Sequence, residues 1–280
     1  MTTAPTITAP TLVIEPRRGI FDLGLKSVWE YRELLFFLVW RDLKVRYKQT
    51  IMGIGWAVLQ PLATMLILTV VFGQFAKIPS DGVPYPIFAF CALLPWTYFG
   101  NTLNRCIMSV VADANVIRKI YFPRLILPVA GTISGLVDFA ISLILFLGFM
   151  AWYEIGIAWW LVTLPFFILF ALATALAVGL WLSALNVRYR DISYTIPFLI
   201  QLWMFGSPVV YPITLVPEKW RFLYSLNPMV GVIEGFRWAL LGKATPDFAV
   251  MAVSALVVTV LLAGGLVFFK NMERTFADIV

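Results

Sequence analysis

Residues 41–61 read RDLKVRYKQTIMGIGWAVLQP, and the character of the chain changes inside them. Up to Lys48 the basic Arg41, Lys44, Arg46 and Lys48 are interleaved with Leu43, Val45 and Tyr47, whereas from Ile51 no charge occurs until Lys77. An uncharged run of that length is stable only in lipid, and Lys and Arg hold the near side of a membrane. The chain therefore turns at Gln49 and Thr50 from a helix on the cytoplasmic face into a helix that crosses, and everything downstream takes its orientation from that point.

The whole composition agrees with this reading. With 61% hydrophobic residues against 13% charged, the chain is too apolar for a soluble domain of its length and is an integral membrane protein. The excess of Lys and Arg lies at the ends of apolar runs instead of forming a stripe with aromatic spacing, so it reads as a topology signal and a contact with anionic lipid, not as a nucleic-acid surface. Histidine is absent, and Cys91 and Cys106 fall in one apolar segment. That removes His-based acid–base chemistry, zinc ligation and a disulfide framework, and leaves no metal site or catalytic residue to assign.

Outward from residue 48 toward the N-terminus, Phe36, Val39, Trp40, Leu43 and Tyr47 recur at helical spacing, with Glu30, Glu33, Arg41, Lys44 and Lys48 mostly on the other side. Residues 27–48 are thus an amphipathic interfacial helix, and residues 1–26, rich in Thr, Pro and Ala, a disordered cytoplasmic tail. Toward the C-terminus, six runs meet the length of a spanning helix: 51–76, with Pro61 as a kink, then 87–111, 125–152, 157–185, 192–211 and 248–269. Between the last two, 227–241 opens on Asn227 and Pro228 and closes on Gly242, an N-cap, a first-turn proline and a C-terminal glycine. A helix of that size reaches only ~21 Å and carries Glu234 and Arg237, so it dips into the outer face or lies on it. With the N-terminus inside, all of the 21 Lys and Arg except Lys77, Lys219, Arg221, Arg237 and Lys243 fall on the cytoplasmic side, which places both termini there.

The expected architecture is therefore all-α: a polytopic membrane protein with six transmembrane helices, an N-terminal amphipathic interfacial helix and a short re-entrant outer segment before the last span. Two features lie outside topology. The connector 112–128, ADANVIRKIYFPRLILP, holds a short polar helix candidate at 113–120, of the size a membrane subunit needs to receive force from a soluble motor. That motor must be another chain, because no GxxxxGK[ST] phosphate-binding loop occurs here. The second is Asp138, inside the third predicted span, where a carboxylate is unfavourable by ~3 kcal/mol or more and must face protein or water. The reading preferred is a hydrogen bond within the bundle to a hydroxyl such as Ser134 or Thr174, with a proton or substrate site as the alternative.

Five stretches in order, RDLKVRYKQTIMGIGWAVLQP, NVIRKIYFPRLILP, NVRYRDI, SPVVYP and LNPMVGVIEGFRWALLG, resemble those of a type-two ABC-transporter permease of the polysaccharide export group. The resemblance covers residues 29–269. It implies a homodimer of six-span subunits joined to two copies of a cytoplasmic ATPase, which binds the ATP and Mg; no cofactor belongs to this chain. It implies export of a lipid-linked polysaccharide, O-antigen first and capsular polysaccharide or teichoic acid as alternatives, across the cytoplasmic (inner) membrane. Carried onto this chain, residues 113–121 become the coupling helix, with Asp113, Asn115, Arg118, Lys119 and Tyr121 toward the ATPase. The first and fifth spans line the channel; since pyranose C–H faces stack on aromatic rings, Trp56, Phe72, Trp203, Phe205 and Tyr211 are the expected lining. A drug or lipid exporter of the same fold would be expected to carry a large extracellular domain. A membrane enzyme acting on lipid-linked sugars would need convergent Asp, Glu or His, which the scattered acids and absent His do not supply.

Overall fold

The computed structural model describes residues 25–48, 53–156, 159–242 and 247–279, and among these no strand occurs. The expected tail up to residue 24, the switch at Gln49 and Thr50, and the start of the fourth predicted span at 157–158 lie outside the described residues. The helices are α1 (Leu25–Glu30), α2 (Arg32–Lys48), α3 (Gly53–Leu68), α4 (Tyr85–Ala112), α5 (Ala114–Lys119), α6 (Ile126–Trp152), α7 (Leu164–Arg188), α8 (Ile192–Phe205), α9 (Glu218–Ser225), α10 (Pro228–Leu241) and α11 (Phe248–Ile279).

α4 is the axis of the bundle. It packs on α6, α7, α10, α3 and α8, and 19 of its 28 residues are buried. Around its first half a large apolar core gathers Phe88, Phe90, Phe146, Phe167 and Phe236. A second core at the other end joins Leu38 of α2, Ile117 of α5, Phe122, Ile126 and the C-terminal Phe269 and Phe276.

Among the described residues, four helical segments are long and apolar enough to cross a membrane: Gly55–Phe75, Ile126–Trp152, Trp159–Arg188 and Phe248–Phe276. The expected second span falls within α4, which is long enough but carries Asn101, Thr102, Asn104 and Arg105 in its second half. Polar residues there are tolerable because the helix is enclosed by its neighbours and not by lipid. The expected fifth span is shorter than its sequence run, since α8 stops at Phe205. Two contacts show where that stretch leads. Ser193 N donates to Asn186 Oδ1 at 3.2 Å while Asn186 Nδ2 donates to Ile107 O, and Tyr85 Oη donates to Val210 O at 2.7 Å. The segment thus runs from beside Ile107 to beside Tyr85, a rise of ~33 Å along α4 at 1.5 Å per residue.

The first predicted span holds Pro61 inside α3 and then widens into a π-helical turn over Thr69–Phe75. The turn sits where Gly73 lies against Tyr85, so closely that a Cβ would come 2.8 Å from the ring. α10 is where the caps put it: Asn227 Oδ1 accepts from Met229 N, Pro228 follows, and Gly242 closes the helix at φ 63°. It does not lie on a face, however. All but Glu234 and Trp238 of its residues are buried against α11, α4 and α7, and Gly231 and Gly235 permit this, since Cβ atoms there would stand 2.6 Å from Ser254 and 2.1 Å from Phe167. The exposed short helix of this region is α9.

The interfacial helix also differs from its expected faces. Leu34, Leu35, Leu38 and Val39 pack on the second core, while Phe36 and Trp40 stay exposed and Arg41 turns inward. Packing against α6 selects the buried face, and the outward aromatics are left for lipid or another chain.

Candidate functional site

Two ion-pair clusters tie elements far apart in sequence, one where α2 meets α5 and one midway along α6. In the first, Arg41 of α2 grips Asp113 in a two-pronged bond, Nη1 to Oδ1 at 2.7 Å and Nη2 to Oδ2 at 2.9 Å. Asp113 is the residue before α5, and its carboxylate makes no cap to that helix. The hydrogen bond to Asp113 holds the Arg41 guanidinium above its ordinary pKa, more than partial burial lowers it. Bidentate guanidinium–carboxylate pairing fixes geometry as well as charge, so α2 and α5 are held in one orientation.

The second cluster surrounds Asp138. Arg46 Nη1 donates to Oδ2 at 2.5 Å, Arg105 Nη1 donates to the same oxygen at 3.0 Å, and Tyr47 Oη donates to Oδ1. Burial, with Asp138 second, pushes the Tyr47 phenol up to about 12, so it remains a protonated donor. The partners expected from sequence are not used: Ser134 Oγ donates to Gly131 O and Thr174 Oγ1 to Phe170 O, each on its own helix. Charge-assisted bonds to guanidinium are stronger than neutral ones, and a helical hydroxyl satisfies itself on its own preceding turn. No group of metal-ligating side chains occurs among the described residues.

The residues singled out for coupling fall on one small projection. Ile117 is buried and anchors α5, while Asn115, Arg118, Lys119 and Tyr121 are exposed around it. Arg124 N, at the start of α6, donates to Glu273 Oε1 at 2.9 Å, which brings the end of α11 to the same place.

The aromatic residues singled out for a channel divide into groups. Phe72 and Phe205 stand 6.5 Å apart across the α3 and α8 segments, and Tyr211 Oη donates to Phe205 O. Trp203 packs edge-on to Phe99 at 5.2 Å and donates to Asn227 Oδ1, so much of it belongs to the bundle interior. Trp56 is 58% exposed and lies apart from these, on the wall of a cavity with Arg46, Arg105 and Asp138.

One buried polar group had no assigned role in the sequence. Arg237 lies over the Phe88 ring at 3.8 Å, bonds Glu234 at 3.0 Å and donates to Val209 O at 3.3 Å. The i, i+3 spacing of Glu234 and Arg237 was the signal for their pairing, but their inward direction was fixed only by tertiary packing.

Similarity to known proteins bears on this geometry. The family described as ABC-2 type transporter matches residues 33–241, from α2 through α10. The chain is 29% identical over 259 residues to the O-antigen export system permease protein RfbA of Myxococcus xanthus, covering 91% of this chain and 98% of that one. It is 24% identical to an RfbA permease of Klebsiella pneumoniae, covering 89% and 95%, and 23% identical to the polysialic acid transport protein KpsM of Escherichia coli, covering 84% and 91%.

Proposed function

The chain belongs to the ABC-2 type transporter family, and from that premise we propose that it is the membrane permease of a polysaccharide exporter whose cargo is a lipid-linked O-antigen. The observation that carries this is end-to-end similarity to O-antigen export permeases, which extends over 98% of one such relative. Similarity to a polysialic acid transport protein supports capsular polysaccharide as the second reading.

In this reading the chain crosses the inner membrane six times with both termini in the cytoplasm. The crossings are α3 with its π turn, α4, α6, α7, the segment from α8 through Val210, and α11. Two copies assemble with two copies of an ATPase that binds ATP and Mg, and α5 docks on that ATPase through Asn115, Arg118, Lys119 and Tyr121. Displacement of α5 is carried to α2 by the Arg41–Asp113 fork. α2 in turn holds α6 through Arg46, Tyr47 and Asp138, immediately before the first crossing begins. The wall formed by Phe72, Phe205 and Tyr211, with Trp56 nearer the α2 end, supplies sliding contacts for sugar rings.

A strain deprived of this permease should lose surface polysaccharide and accumulate the lipid-linked polymer on the cytoplasmic side. Restoring the chain should reverse both, as read by glycan blotting of intact cells and by glycosidase protection in inverted vesicles. Unchanged surface glycan in the deletion strain would rule the reading out.

A further inference from the structure

A cavity of about 270 Å³ opens between α3, α4 and α6, beside the Arg46–Asp138 contact. Its wall includes Arg46 at the end of α2, Trp56 and Gln60 of α3, Asn101 and Arg105 of α4, and Asp138 of α6. The Arg46 and Arg105 guanidiniums both bond the one Asp138 carboxylate oxygen, Oδ2. Arg105 is only half satisfied: Nη1 bonds Asp138, but Nε and Nη2 are buried with no hydrogen-bond partner, and Thr102 Oγ1 beside them has none either. Leaving such donors unmet is unfavourable by ~1–3 kcal/mol each, more for a charged group. Gly135, on the cavity wall, is what lets the Arg105 and Thr102 side chains lie against α6. A Cβ at Gly135 would stand 2.9 Å from Arg105 Nη2 and 2.8 Å from Thr102 Oγ1.

These features specify an anion with several oxygens. Guanidinium grips phosphate with paired parallel bonds, and Gln60 and Asn101 add neutral donors. The volume lies below the ~300–1,000 Å³ typical of sites that enclose a drug-sized ligand, so the site fits a head group and not a polymer. On the surface of α3 near Trp56 and Gln60, Leu59, Leu66 and Ile67 are all exposed. An apolar chain could lie along that surface while its head enters the cavity.

We propose that this cavity binds the phosphate or diphosphate head of a membrane amphiphile, with Arg105 and Arg46 as its ligands and Asp138 as the internal anion it competes with. The inference rests on the exporter reading only in naming that amphiphile as the carrier lipid of the glycan. The competition sets a sign that a merely structural ion pair would not produce. Neutralising Asp138 removes the anion that competes for Arg46 Nη1 and Arg105 Nη1 and strengthens binding, whereas neutralising either arginine weakens it.

The test uses the full chain assembled with its ATPase in phosphatidylcholine nanodiscs and radiolabelled farnesyl diphosphate as the probe. Unlabelled farnesyl diphosphate should compete, farnesol should not, and inorganic diphosphate should compete at least about tenfold more weakly, the loss of ~1.4 kcal/mol of tail contact. Arg105→Gln should weaken binding about tenfold or more, and Asp138→Asn should tighten it. Weaker binding in a correctly assembled Asp138→Asn variant, or competition by farnesol equal to that of the diphosphate, overturns the proposal. Equal competition by inorganic diphosphate overturns the amphiphile and assigns a free-anion site. If Asp138→Asn does not assemble, Arg46→Gln decides: weaker binding at an unchanged melting temperature supports the site, and unchanged binding removes it. Absence of binding by the parental complex that still exports glycan would remove the site and leave the exporter, while binding by a parental complex that exports no glycan would do the reverse.

Discussion

Asp138 shows how a residue can be recognised in sequence while its partners are not. A carboxylate within an apolar run must be satisfied by something, and that much follows from the price of burying it. Its partners Arg46 and Arg105 lie 92 and 33 positions away, and no periodicity links such distances. Arg237 poses the converse case, because its partner Glu234 lies only three positions away and yet packing alone showed that both are buried, 5% and 11% exposed at the side chain. Breaking a buried pair leaves an uncompensated charge and is destabilising by about 3–5 kcal/mol, whereas replacing both members with apolar groups is often neutral. Glu234→Leu should therefore lower the melting temperature of the purified protein sharply, and adding Arg237→Met should restore most of the loss. A double variant less stable than the single one would show that the carbonyls of Val209 and Tyr211, not Glu234, are the partners that matter for Arg237.

Among the elements, those punctuated by caps were legible and those shaped by neighbours were not. Asn227, Pro228 and Gly242 fixed both ends of α10, but its burial depends on Gly231 and Gly235, whose meaning appears only when Phe167 and Ser254 are seen against them. The π turn at Thr69–Phe75 had no signal either, since the glycine it accommodates touches a side chain from another helix. α5 was legible as a polar insert between apolar runs, and the fork that holds it to α2 was not, because Arg41 read as one more basic residue on a helix surface. That fork makes a prediction at this scale. Arg41→Gln should lower glycan export per ATP hydrolysed while the ATPase remains bound, since α5 keeps its exposed residues and loses its grip on α2. Replacing Arg118 and Lys119 together should instead weaken ATPase association. Measuring co-purified ATPase and export in both variants separates the two roles, and normal coupling in Arg41→Gln would show that the fork is static.

For the whole molecule, charge bias and run length predict six crossings, yet among the described residues four helical segments meet the length and hydropathy of a lipid-exposed span. The difference is physical: α4 is shielded by its neighbours and can carry Asn101 and Arg105, and α8 stops at Phe205, after which the apolar run continues in turns. Sidedness then becomes a question about two ends of one bundle. The Arg41–Asp113 fork and the Arg124–Glu273 bond gather α2, α5, the start of α6 and the end of α11 at one end, which the charge bias assigns to the cytoplasm. Single cysteines at Lys219 on α9 and at Arg118 and Thr275 on the gathered end test this directly, because Cys91 and Cys106 are buried and add little background. A membrane-impermeant maleimide added to intact spheroplasts should label position 219 and reach 118 and 275 only after the membrane is opened. Labelling of 275 from outside, with 118 still protected, would require an odd number of crossings between α5 and the C-terminus. Since Arg124 and Glu273 are in contact, that result would contradict both the six-crossing topology and the folded arrangement that brings these ends together.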